Sequence, residues 1–350
     1  MAAGLAGRSP GLVAYEAEAM VADFDELTAL AERLVEEETG LVSREGPARA
    51  RVIDRVGWVE VNVASFQRLA KPLTERMAAA RAAARWRPPE WSASLGGALN
   101  GAQLGMLLAW MSTRVLGQYD QLLVEDERPE DQDVVYYVGP NVAAVERRYG
   151  FPPREFRLWL ALHEVTHRAQ FTGVPWMREH FLSLVGATLA GVDPDPRRLL
   201  EALRRVGEDL RAGRRPLDDG GLLALLATPE QRLAIQAIGG MMSLLEGHGD
   251  VTMDRAAGER VPNAPLFGRT LHQRRQTRGA ARLVAVALGL DAKLRQYEQG
   301  EDFVRAVERC GGRALLDRVW QAPEWLPDLA EIRQPERWIA RAEAGPGAGG

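Results

Sequence analysis

Apolar residues recur at intervals of three and four along most of the chain, the spacing that places side chains on one face of a helix. Such stretches run over residues 15–41, 65–85 and 152–171, and the last is apolar on nearly every side, as buried helices are. Further helical patterns lie at residues 175–192, 197–214, from about 231, 280–290 and 303–319. The pattern predicts a mainly α protein.

One segment departs clearly from this periodicity. Residues 134–138 are β-branched or aromatic, and Gly139-Pro140-Asn141 follows them with residues typical of a turn. Residues 52–63, which contain Trp58, are also expected to begin extended. We therefore predict a mainly α fold with a small β element.

Residues 91–113 contain no charged side chain, which makes this stretch the one transmembrane candidate by length. Its glycines at 97, 101 and 105 have the spacing of closely packed helices. Several serines, an asparagine and a glutamine make the stretch only weakly hydrophobic. We interpret it as a core helix whose glycines let another helix approach, and we expect no membrane association.

The predicted helix at residues 152–171 carries the sequence His163-Glu164-Val165-Thr166-His167, an HExxH motif. Histidines four positions apart share a helix face, so both imidazoles can reach one metal ion. Glu164 then stands where a carboxylate can take a proton from a water held on the metal. The alternative is a purely structural role, in which a core helix contains two hydrogen-bonded histidines and no metal. The motif in this context favours a zinc hydrolase.

Two histidines leave the coordination of zinc incomplete, and a third protein ligand is expected elsewhere in the chain. The sequence Glu246-Gly247-His248-Gly249-Asp250 follows a second apolar run. On a helix, Glu246 and Asp250 share a face, so one can bind the metal while the other braces a ligand histidine. Asp250 is the candidate for the bracing role.

The HExxH motif followed by Glu-x-x-x-Asp resembles the glutamate-type zincin metallopeptidases. Over most of its length the chain is similar to a bacterial family of zincin-like metallopeptidases, some members of which are labelled as hydrolases or linked to biosynthesis of a deazaflavin coenzyme. The segments that carry this resemblance are residues 54–58, 62–66, 114–120, 163–170 and 246–254.

The resemblance implies His163, His167 and Glu246 as zinc ligands, Glu164 as general base and Asp250 as a residue that supports a ligand. The separation between His167 and Glu246 is longer than in well-known glutamate zincins. This long separation leaves the identity of the third ligand open, and His248 is the rival to Glu246. On a helix, His248 points roughly 200° away from Glu246.

We expect one zincin-like catalytic unit with helical additions over residues 1–350. Its predicted parts are an N-terminal helical part at 15–90, a catalytic core at 91–260 with a helical insertion at 175–228, a C-terminal helical part at 261–342 and a flexible tail at 343–350.

Composition limits the other classes of function. With 46% hydrophobic and 26% charged residues and a net charge of −4, the chain is typical of a globular protein with no general attraction to nucleic acid. Cys310 is the single cysteine, which excludes an intrachain disulfide and a zinc site built on several thiolates. No signal-peptide pattern opens the sequence, and we expect a cytoplasmic location.

Three residues are candidates for substrate binding or oxyanion stabilisation. Zincins of this kind place an edge strand beside the metal, and by that analogy Tyr137 of the predicted strand, or its neighbour Tyr136, presents its phenol to the reacting carbonyl. Strand packing alone is the simpler interpretation for either tyrosine. His248 and His272 are the other two, although a solvated loop is the simpler interpretation for residues 272–278. The expected substrate is a peptide or a small amide. The alternatives are a binding protein with a structural metal and a hydrolase of a small metabolite.

Overall fold

The computed structural model of the chain describes residues 14–83, 105–119, 133–190, 228–275 and 290–345. Within these ranges the protein is mainly α with one small sheet, which confirms the predicted fold class. The chain divides into two compact units, Met1–Gly173 with Arg255–Ala264, and Val174–Asp254 with Pro265–Gly350. The expected organisation as one catalytic unit with additions stays a prediction.

Among the described residues, no helix combines the length and the hydropathy needed to cross a membrane. Of the charge-free stretch, residues 91–104 lie outside the described part, and residues 105–112 are helical. Leu108 in this helical segment packs with Trp58, Val59 and Val138 in a buried cluster. The predicted helices at 197–214 and 280–289 also lie outside the described ranges.

Helix α1, Ala14–Thr39, opens the first unit and buries one face. Met20, Phe24, Leu27 and Ala31 recur at three- and four-residue spacing and are at most 1% exposed. The helix is followed by Gly40, whose φ of 70° is the left-handed conformation that glycine adopts without strain. The predicted helix at 15–41 is confirmed.

Strand β1, Arg49–Ile53, is followed at once by helix α2, Arg55–Ala83. The Asp54 carboxylate accepts a hydrogen bond from the Gly57 N–H at 2.7 Å, as a helix N-cap does. The prediction of an extended start at residues 52–63 therefore holds only to Ile53, and Trp58 lies in a helix.

The sheet of the described residues has three strands in the order β1, β3, β2. Strand β3, Val134–Val138, lies in the centre, parallel to β1 and antiparallel to β2, Gly117–Tyr119. All five residues of β3 are buried. The strand prediction is confirmed, but the edge position implied for it is wrong, because both of its sides are paired.

Two helices follow the central strand in the same unit. Helix α3, Gly139–Tyr149, begins where the sequence pattern indicated a turn, since Pro140 suits the first turn of a helix. Helix α4, Pro153–Gly173, contains the HExxH motif and is buried nearly all round, as predicted. Arg157 of α4 donates to Glu146 of α3 at 2.8 Å and to Asp23 of α1 at 2.6 Å.

The regular elements among the described residues of the second unit are helices. Its helices are α5 Met177–Ala190, α6 Pro229–Ala257 (which continues into the first unit after Asp254), α7 Ala264–Arg275, α8 Leu290–Leu316, α9 Leu329–Arg333 and α10 Pro335–Ala344. The loop expected at residues 272–278 is wrong as far as Arg275, because helix α7, Ala264–Arg275, includes these positions. Residues 276–278 lie outside the described ranges.

Helices α6 and α8 approach each other closely at a pair of glycines. A methyl group added to Gly247 would lie 2.1 Å from the Gly300 carbonyl carbon, and one added to Gly300 would lie 1.9 Å from the Ser243 oxygen. Around this crossing Leu244 and Val251 share a core cluster with α8 and the C-terminal helices. Trp325 and Trp338 are buried in that cluster, as predicted for the C-terminal segment.

Candidate metal centre

The two histidines of α4 face each other one helical turn apart. Their Nε2 atoms are 3.3 Å apart, and the ring planes stand at 86°. Two imidazoles bound to one tetrahedral zinc at 2.0–2.1 Å would hold their nitrogens about 3.3–3.4 Å apart. The observed separation therefore fits two ligands on one ion without any movement of the helix.

The second nitrogen of His167 has a defined partner. Its Nδ1 lies 3.0 Å from Oε1 of Gln170, which is buried one turn further along α4. An amide oxygen only accepts hydrogen bonds, so Nδ1 carries the proton and Nε2 presents its lone pair. A side chain that orients a ligand histidine in this way is typical of metal sites.

Sequence reasoning did not identify Gln170. Its position three residues after His167 on a buried helix places it on the same helix face, where it can form a hydrogen bond with that histidine. The supporting role predicted for Asp250 stays a prediction.

Glu164 is 7% exposed and lies against strand β2. Its Oε2 accepts a hydrogen bond from the backbone N–H of Tyr119 at 3.1 Å. Gly117, two residues earlier, allows this approach, because a methyl group there would lie 2.7 Å from both Cγ and Oε1 of Glu164. The carboxylate proposed as a base is thus held at one oxygen by the backbone of a strand.

A buried ion cluster lies beside the same strand and helix. Arg168, 1% exposed, donates to both carboxylate oxygens of Asp133, to Glu32 Oε1 at 2.5 Å and to the Gly46 carbonyl at 2.6 Å. Asp133 also accepts from the Tyr119 hydroxyl at 3.2 Å.

Burial, the largest single influence, would lower the pKa of Arg168, yet Asp133 and Glu32 together raise it. Asp133 adopts a left-handed φ of 51°, which is uncommon outside glycine, at the entry to β3. The cluster therefore fixes the start of β3, the end of β2 and the residue after His167 relative to one another.

The third predicted ligand lies on helix α6. His163, His167 and Glu246 are the one group of possible metal ligands found among the described residues. Two imidazoles and one carboxylate form a donor set that zinc takes in catalytic sites. The residues present therefore fit the ion that the motif implies.

The rival ligand and the other candidates have different surroundings. His248 is 7% exposed and packs edge-on against Trp320, with ring centroids 4.9 Å apart. His272 lies in helix α7. Tyr137 is fully buried, stacks on Phe24 at 3.7 Å and shares a hydrogen bond with Thr28 at 2.8 Å.

Burial raises the pKa of the Tyr137 phenol well above its usual value. The neutral phenol of Tyr137 is hydrogen-bonded to Thr28 inside the core, as expected of a side chain that packs the strand. The structure therefore gives no support to Tyr137 as an oxyanion donor.

Comparisons of sequence and of structure each find a match that extends over nearly the whole chain. The sequence profile of the zincin-like metallopeptidases matches residues 1–339. The crystal structure of a proposed hydrolase with a novel fold, from Chloroflexus aurantiacus, is 30% identical in sequence and aligns with a TM-score of 0.71. That similarity covers 99% of this chain and 97% of the other. No curated protein matches the sequence.

Proposed function

The chain belongs to the zincin-like metallopeptidase family, and on that premise we propose that it is a zinc-dependent hydrolase that cleaves an amide bond, most simply in a peptide. The observation that carries the proposal is the pair of Nε2 atoms 3.3 Å apart on a buried helix, with Glu164 between the two histidines in sequence. His163, His167 and Glu246 would hold the ion.

When bound, zinc supplies Lewis-acid activation of water and of the carbonyl to be attacked. Glu164 performs the proton transfers. Its Oε2 accepts a hydrogen bond from the Tyr119 N–H, which holds the carboxylate as it takes the proton from the attacking water. The water oxygen bonds to the carbonyl carbon, the C–N bond breaks, and the proton moves from the Glu164 carboxyl group to the leaving amine.

His167 contributes through its fixed tautomer. The Nδ1–H bond to Gln170 favours the tautomer whose lone pair is on Nε2, which is the tautomer that binds the ion. The burial of Glu164 and His167, each 7% exposed, limits access of bulk water to the base and to this ligand.

The test is to measure zinc by elemental mass spectrometry together with turnover of a mixed peptide library. Wild type should hold near-stoichiometric zinc, Glu246→Ala should lose most of it, and Glu164→Gln should retain it while cleavage falls by roughly 10²–10⁴-fold. Glu179→Gln, which alters an exposed glutamate on α5, is the matched control and should behave as wild type.

A wild-type protein without zinc after purification free of chelators would contradict the proposal. Bound zinc with no cleavage of any peptide would direct the search to small amides, because the structural relative is described as a hydrolase without reference to peptides. A metal site that binds zinc tightly but hydrolyses neither class of amide would favour a binding protein.

A further inference from the structure

Strand β2 lies between the central strand β3 and the side chain of Glu164. All three residues of β2 are paired with β3 in the antiparallel register, and the backbone N–H of Tyr119 donates to Oε2 of Glu164 on α4 at 3.1 Å. Gly117 also touches the Glu164 side chain. Gly117 and Tyr119 of this short strand therefore both lie against the proposed general base.

We propose that strand β2 positions Glu164, with Gly117 as the positioning residue and the Tyr119 N–H as the hydrogen bond that sets the carboxylate's direction. The absence of a side chain at Gly117 is the essential feature, because the space that a methyl group would occupy is filled by Cγ and Oε1 of Glu164. The kinetic consequence rests on the proposed hydrolase function, whereas the contact itself does not.

Strand β2 is anchored on sides other than that of Glu164. The Tyr119 hydroxyl donates to Asp133, the Trp58 indole donates to the Gln118 side chain at 2.7 Å, and the Leu116 carbonyl accepts from Val138 N–H at 2.8 Å. These bonds tie the strand to β3, to α2 and to the ion cluster. An added methyl group at Gly117 must therefore displace the carboxylate rather than the strand.

Backbone strain does not complicate a substitution at this position. The glycines with positive φ among the described residues do not include Gly117, so alanine can adopt the native backbone there. Gly117→Ala is thus a steric probe of a single contact. Gly186→Ala on α5 is the matched control, since a methyl group there meets nothing within 4 Å.

The experiment is a double-mutant cycle of Gly117→Ala and Glu164→Ala, measured first by thermal unfolding. Gly117→Ala should lower Tm by a few degrees in the wild-type background and leave Tm unchanged in the Glu164→Ala background, where the colliding atoms are absent. Equal losses in both backgrounds, or no loss in either, would overturn the proposal.

Kinetics on the same variants provides the second measurement. Gly117→Ala should lower kcat roughly 10- to 100-fold with KM and zinc content unchanged, because a displaced base affects the chemical step alone. In the Glu164→Ala background it should leave the residual rate unchanged. If no substrate is hydrolysed by wild type, the hydrolase proposal fails while the Tm cycle still decides the positioning role.

A third measurement covers the case in which Gly117→Ala does not fold. Amide hydrogen exchange at Tyr119 should accelerate in Glu164→Ala, which removes the acceptor. It should stay near the wild-type rate in Glu164→Gln, which retains a side-chain oxygen. The same exchange rate in wild type and Glu164→Ala would refute the hydrogen bond that the proposal requires.

Discussion

Replacement of Arg168 by methionine should destabilise the protein strongly, because it removes the cation from a buried cluster and leaves two carboxylates behind. The Asp133 side chain is 8% exposed and the Glu32 side chain 23% exposed, so water can solvate neither fully. Methionine preserves the volume of the aliphatic stem. The variant therefore measures the loss of charge and hydrogen bonds with little added cavity.

The size of the effect follows from the geometry. Arg168 donates to both oxygens of Asp133, and Nη1 and Nη2 also reach Glu32 and the Gly46 carbonyl. Removal of one partner from a buried ion pair costs about 3–5 kcal/mol, since the remaining charge is uncompensated. We expect the free energy of unfolding to fall by that amount, with most of the loss due to Asp133.

The assay is urea unfolding followed by circular dichroism, with Arg147→Met as the matched control. Arg147 pairs with Glu16 at 3.2 Å, but the two side chains are 55% and 38% exposed, and such surface pairs contribute about 0–1 kcal/mol. Losses of similar size in the two variants would refute the reasoning, because burial would then not determine the cost of removing the cation.

Three further predictions follow from individual contacts. Gln170→Met should weaken zinc binding roughly 10- to 100-fold in a competition titration, because His167 loses the acceptor that fixes its tautomer. Gly300→Ala should lower the free energy of unfolding by about 1–3 kcal/mol or more, since its methyl group would overlap the Ser243 carbonyl. Burial lowers the pKa of His180, so the unfolded state binds more protons, and stability should decline as pH falls below about 6.5.

The first two of these have a control of the same residue type. Gln273→Met alters an exposed side chain and should leave zinc affinity unchanged, and Gly268→Ala meets nothing within 4 Å and should leave unfolding unchanged. A zinc affinity unaltered in Gln170→Met, or a Gly300→Ala variant as stable as Gly268→Ala, would contradict those two predictions. For the third, an acid dependence that persists undiminished in His180→Asn would assign it to another group.

Helical periodicity was sufficient to predict most of the described helices. The HExxH helix was predicted at residues 152–171 and is observed at Pro153–Gly173, because apolar residues on nearly every side leave few alternatives to a buried helix. The prediction of Glu246 beside the histidines came from the resemblance and the motif. Its role as the third ligand stays a prediction.

The sheet was harder to predict because its neighbours come from distant parts of the chain. Strand β2 is three residues long, Gly-Gln-Tyr, and has no pattern of its own. It is a strand only because it pairs with β3. A signal for the central place of β3 was available, however, since an unbroken run of apolar residues is typical of a strand buried on both faces.

Arg168 and Asp133 show a different limit of sequence reasoning. Their residue types are usually exposed, and Asp133 stands at the end of an acidic stretch that favours a loop. Whether such side chains are buried depends on which charges the fold brings together. Two residues 35 positions apart on different elements give no local indication of that pairing.

The ion pairs between α1 and α4 also have a consequence for synthesis of the chain. Asp23 and Arg157 are 134 positions apart, and Glu32 and Arg168 are 136 apart. A ribosome that adds about 5–20 residues per second needs roughly 7–27 s to bridge such a distance. During that interval the apolar face of α1 has no native partner on α4, and we expect the nascent N-terminal segment to be the part that most needs chaperone protection.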